Sequence, residues 1–168
     1  APTNESATPS MVMPLPVLGV LRFQDVAARL DGVTVNVRAL PLPAQGTHYE
    51  VWLAEGENRR SLGVLKLGAD GKGTVSFADD QSRNLLARYD RLEITAEPSP
   101  DPSPNSSGKV VYSSAIPSEA LMHIRHLLVS IADTPNQIGL IQGLWNDGTL
   151  VDEQANTMLA AFDSGDQT

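Results

Sequence analysis

The chain has 168 residues, enough for one domain with an appendage, and its 41% apolar content is that of a globular protein rather than a disordered one. Twelve Lys and Arg face 20 Asp and Glu, for a net charge of −8, and no basic cluster stands out, which excludes a nucleic-acid surface. Cysteine is absent, which removes disulfides, thiolate metal sites and Cys nucleophiles and leaves the redox compartment open.

No apolar run reaches the roughly 20 residues that span a bilayer. Residues 1–16 are small, polar and Pro-containing and read as a flexible linker. The first ten lack an initiator Met and a basic region, so they read as a processed start, the chain just after a cleaved signal peptide.

From Val17 the pattern changes to short strands. Val17–Phe23 is an apolar run with β-branched members, and Asp31-Gly32 signals a turn before a second strand. In that strand Val33, Val35, Val37 and Ala39 point one way, with Thr34, Asn36 and Arg38 opposite. Leu40 to Gly46 holds two prolines and serves as a connection, because Pro cannot donate to a ladder. The strand through Gly46–Leu53 is expected at the centre of the fold, with Tyr49, Val51 and Leu53 on one face and His48, Glu50 and Trp52 on the other. Glu55 to Asn58 turns the chain, and Asp70-Gly71-Lys72-Gly73 is a hairpin signal between strands at 62–67 and 74–78. A helical turn is expected around Leu85 and Leu86. Leu92, Ile94 and Ala96 alternate with Arg91, Glu93, Thr95 and Glu97 as a half-exposed strand. Residues 98–108, with Pro98, Pro100, Pro102 and Pro104 among Ser and Asn, form a loop, and Lys109–Ser114 returns as a strand. About seven strands with Gly/Pro punctuation predict a mainly β fold, an antiparallel immunoglobulin-like β-sandwich over residues 17–117.

After Pro117 the period becomes helical. Ser118 is read as an N-cap, with Leu121, Ile124, Leu128 and Ile131 on one stripe. Asp133-Thr134-Pro135 separates this helix from one carrying Ile138, Ile141 and Leu144, which is expected to stop at Asn146-Asp147-Gly148. Val151, Ala155, Met158 and Phe162 mark a third helix. Residues 118–168 thus form a helical extension whose apolar stripes need a partner surface.

The segment from Val33 to Pro117 resembles the extracytoplasmic C-terminal domain of anti-sigma-K factors. The resemblance is carried by Leu40-Pro41-Leu42-Pro43 leading to Gly46, and by Tyr49-Glu50-Val51-Trp52-Leu53. Leu62-Gly63-Val64-Leu65, Gly71-Lys72-Gly73, Tyr89 to Pro98 and Val110-Val111-Tyr112 then follow in order. It implies a β-sandwich outside the membrane, tethered in the family to a cytoplasmic sigma-binding part. Two features depart from the family: Ser99-Pro100-Asp101-Pro102 replaces the usual Gly-Gly-Ser-type turn, and no membrane helix or His/Cys segment precedes the domain in this sequence. The helical extension has no counterpart there.

Candidate site residues are few. His123 and His126 lie three apart on the first tail helix and can converge on one metal ion, with Glu119 as a third ligand; the competing reading is a polar helix flank that packs on the sandwich beside Arg125. His48 can pair with a carboxylate in a cleft or stand as an exposed strand position. Trp52 reads as a buried anchor, and Trp145 as either a packing residue of the tail or a partner contact. There is no Gly-x-Ser-x-Gly elbow and no P-loop spacing, and Asp79-Asp80 lacks a calcium-loop pattern. Asn4 and Asn105 begin glycosylation sequons.

These observations favour a non-enzymatic extracytoplasmic binding or sensing module with no cofactor, whose tail engages a protein partner or a second copy. Two alternatives stand beside it: a metal- or cofactor-binding protein, possibly an enzyme, built on His123 and His126, and a structural or assembly subunit docking through the tail.

Overall fold

The computed structural model describes residues 17–165, so the linker read over 1–16 and the sequon at Asn4 lie outside the described residues. Seven strands precede the helices: β1 (Gly19–Gln24), β2 (Gly32–Val37), β3 (Thr47–Glu55), β4 (Asn58–Leu65), β5 (Gly73–Ala78), β6 (Arg91–Pro98) and β7 (Val110–Ala115). They form two antiparallel sheets, ordered β1-β2-β5 and β4-β3-β6-β7. The inward residues of both sheets meet in one core. Val33, Val35, Val37 and Val75 come from the smaller sheet, and Tyr49, Val51, Leu53, Leu62, Leu65 and Ile94 from the larger. The fold is therefore the expected sandwich, and β3 is an internal strand, paired with β4 on one side and β6 on the other.

The Asp70–Gly73 segment turns the chain back on itself, with Leu67 and Gly73 paired antiparallel across it, but the hairpin extends no further. β4 pairs with β3, whereas β5 pairs with β2, so the segment crosses from one sheet to the other. Gly71 adopts φ +72°, and a Cβ there would meet the Leu40 carbonyl at 2.5 Å, so the crossing needs glycine for both reasons. On this side the sandwich is sealed by the Arg60 guanidinium, 5.1 Å from the Phe77 ring centroid. The Asp31 carboxylate closes the β1–β2 connection by accepting the N–H groups of Val26, Ala27 and Ala28 at 2.7, 3.0 and 2.9 Å. The expected turn at Leu85 is present, with Tyr89 N–H donating to the Leu85 carbonyl at 3.1 Å.

Helix α1 (Ser118–Leu128) docks on the sandwich through Leu121, next to Leu86 and Val129, in a second small core. Ser118 is the first helical residue rather than the cap; Pro117 holds the cap position without a side-chain bond. Arg125 ties the helix down, donating from Nε to the Leu86 carbonyl at 2.9 Å and from Nη2 to Glu55 at 3.3 Å. A short 3-10 turn at Pro135–Gln137 leads to α2 (Leu140–Ser164). The expected break at Asn146-Asp147-Gly148 is absent: α2 is one helix of 25 residues. Asn, Asp and Gly are poor helix formers, but a stop also needs a residue turning out of the helix, commonly in the left-handed region. That residue is Gly165, at φ +76°, which caps the helix from its N–H to Ala161 and Phe162.

Candidate functional site

Two surfaces stand out, one polar and one apolar. The polar one is the outer face of the four-stranded sheet. Antiparallel register places His48 opposite Glu97, Glu50 opposite Thr95, and Trp52 opposite Glu93. Alternation alone puts these side chains toward solvent, yet Trp52, Glu93, Thr95 and Glu97 are all buried. The 98–108 loop folds back over them. Ser107 N–H donates to both Glu97 oxygens at 3.1 and 3.0 Å, and Trp52 Nε1–H donates to Thr95 Oγ1 at 2.8 Å. Beside this network, Arg59 Nε and Arg91 Nε clamp Glu93 at 2.8 and 2.9 Å.

Burial alone pushes both carboxyls up, but their partners outweigh it. Thr95, Ser107 and the nearby His48 hold Glu97 below the usual carboxylate range. Arg59 and Arg91 do the same for Glu93. Ionised carboxylates that already accept hydrogen bonds anchor structure; they carry no proton to donate as general acids. A cleft of about 480 Å³ lies between this face and the loop, lined by Trp52, Arg59, Arg60, Ser61, Phe77 and Asn105 among others. Trp52 shares the face of His48, as its alternation implies, whereas Glu93, Thr95 and Glu97, on a strand expected to be half-exposed, are buried. The signal available was the Ser-rich loop that follows Thr95-Ala96-Glu97-Pro98.

The apolar surface is α2. None of its residues is buried. Ile141, Leu144, Val151, Met158 and Phe162 share one stripe, which unites the two stripes that the sequence divides at Gly148. Trp145 borders it and is 73% exposed, and Leu144 is 74% exposed. The helix carries Asp147, Asp152, Glu153 and Asp163 and no Lys, Arg or His. It is held near its start: Arg29 Nη2 donates to the Gln142 side chain, and Gly139 packs so closely that a Cβ there would meet the Leu127 carbonyl at 2.6 Å.

The tail histidines are placed apart in role. His123 is exposed, while His126 Nε2 lies 3.0 Å from Asp133 Oδ2 and holds that carboxyl below its ordinary range. Asp79, weighed above as an oxygen ligand, is instead locked to Arg83 by bonds of 2.7 and 2.8 Å, which hold its carboxyl far below the usual range. Among the described residues, no helix is long and apolar enough to cross a membrane.

The family described as "Anti-sigma-K factor rskA, C-terminal" matches residues 20–110, more than half of the chain. The matched span runs from β1 to the first residue of β7, so it holds both sheets except for most of that last strand. The chain belongs to this anti-sigma-K factor C-terminal family, a family named for regulators rather than for a reaction. No curated protein and no solved structure matches the chain.

Proposed function

We propose that this chain is a non-enzymatic, extracytoplasmic binding module of an anti-sigma system, and that its tail docks a second protein. The family supports the regulatory part, and the placement outside the cytoplasm follows the resemblance noted above. The observation that carries the docking part is the stripe on α2, where Leu144, Trp145, Val151, Met158 and Phe162 are each exposed by about two thirds or more. An apolar surface of this extent is costly to leave in water and marks a contact site. Its acidic flanks and lack of any basic side chain favour one occupant, a protein groove that is apolar with a Lys- or Arg-bearing rim. A second copy would set like charges against each other, and an anionic lipid surface would repel the helix.

Two experiments test the reading. The coding sequence upstream should contain a membrane helix and a sigma-binding segment; a protein that remains cytoplasmic on cell fractionation overturns the extracytoplasmic part. A photo-crosslinking residue at position 145, used in the native host, should capture one protein, and Leu144→Asp should abolish the capture. Efficient expression without capture, or capture of only a second copy, sinks the docking part.

A further inference from the structure

Several acidic residues of the sandwich are balanced by a fixed cation. Asp79 pairs with Arg83, Glu93 with Arg59 and Arg91, Asp70 with Lys72, and Glu55 with Arg125. Glu50, Glu97 and Asp101 gather near His48, and among the described residues none of the three has a Lys or Arg within 4.0 Å. Residues 1–16 and 166–168 contain neither Lys nor Arg to supply one. Carboxylates beside an imidazole with no fixed cation are ligands open to a bound one.

The donors themselves are arranged for it. His48 and Glu50 stand two apart on β3 and so share its outer face, while Asp101 arrives from the 98–108 loop. One ligand atom from each lies within 4.8 Å of the others. Glu50 Oε1 accepts from the Ser61 hydroxyl, and Asp101 Oδ1 accepts from Ser103 N–H at 2.9 Å. Among the described residues no second donor reaches either carboxylate, and no partner reaches the half-buried His48 ring. Carboxylates steadied by outer hydrogen bonds, each with an oxygen to spare, are what a metal site uses. Glu97 contributes charge rather than a ligand, since Ser107 and Thr95 occupy it.

We propose that His48, Glu50 and Asp101 bind one divalent transition-metal ion of the zinc or manganese class, tying the 98–108 loop to β3. One imidazole nitrogen with two carboxylate oxygens suits such ions, and small side-chain rotations bring the donors to bonding distances of about 2.0–2.2 Å. Calcium, which takes roughly 6–8 oxygens, is poorly served by this set. The proposal does not depend on the docking reading.

Calorimetric titration of the untagged chain with zinc and with manganese chloride tests it. One ion per chain should bind, with affinity at least about tenfold weaker in His48→Ala and in Asp101→Asn, and unchanged in His123→Ala/His126→Ala. Circular dichroism checks that each variant is folded, and Asp101→Asn, in a surface loop, stands alone if His48→Ala unfolds. Metal should also slow proteolysis within 98–108 in the wild-type chain. Absence of saturable binding overturns the proposal. So does binding that persists in both site variants, binding lost only with the tail histidines, or calcium binding as tight as zinc.

Discussion

The two tryptophans divide the molecule. Trp52 is 3% exposed, with its indole N–H bonded to Thr95 and a loop folded over its face; Trp145 is 73% exposed on a helix with no buried residue. Both sit in well-patterned sequence. The difference is what lies opposite. On the sandwich, one sheet covers the other, and the 98–108 loop covers the remaining face. On α2, the stripe meets nothing among the described residues beyond its first turns. Patterning thus decides which side chains share a face, and burial depends on whether the chain itself supplies the cover.

The largest effect should come from opening the covered region. Leu53→Ala, at a fully buried core position, should lower unfolding free energy by about 3 kcal/mol in urea titration. A loss below about 1 kcal/mol would mean the two sheets do not share a core. Acid should come next. Asp31, Asp79, Glu93 and Glu97 all have folded-state values below their ordinary ones. Such groups stabilise fully above the unfolded-state values, about 3.9 for Asp and 4.3 for Glu, and lose that contribution as pH falls through the folded values. The urea midpoint should therefore hold between pH 7 and about 5 and drop toward pH 3. A flat profile would count against the buried carboxylate network.

Trp52→Phe should cost about 1–2 kcal/mol, because it removes the N–H that Thr95 accepts while keeping most of the ring. Glycines sharpen the contrast within the tail. At Gly148 an added Cβ has open space, so Gly148→Ala should stabilise α2 by about 0.5–1 kcal/mol, read from helical circular dichroism on heating. Gly139→Ala should do the opposite, since its Cβ would strike the Leu127 carbonyl. The smallest effect belongs to Trp145→Ala, expected within about 0.5 kcal/mol of wild type in the same urea titration. A larger loss would reveal a cover for the stripe.

Much of the sandwich could be read directly. The alternation at Val33–Val37 and Tyr49–Leu53 reflects one face turned to a core, and each of the seven strands overlaps a stretch expected to be extended, although β4 starts at Asn58, inside the expected turn, rather than at Leu62. Sheet assignment could not be read, because a turn such as Asp70–Gly73 looks alike whether its strands pair or part company. The continuity of α2 was hidden for a related reason. Asn146-Asp147-Gly148 together weaken a helix by about 2 kcal/mol, which the good helix formers among Leu150–Ala161, with Leu140, Gln142 and Leu144 before the break, offset. Of the site residues, His48 and Trp52 were visible as neighbours on one face. Asp101 and Ser107 were not, since no periodicity links a Pro-rich loop to the strand on which it lands.

The close approach at Gly139 has a mechanical meaning. A helix of 25 residues is about 37 Å long, and among the described residues α2 is held near its first turn, by Gly139 against Leu127 and by Arg29 on Gln142. It is a lever with its pivot beside the sandwich. A sideways load at Phe162 acts through nearly the full arm and is felt at residues 129–139, where α1 hands over to α2. The sandwich, braced by its own core, is the frame to which that long arm is fastened.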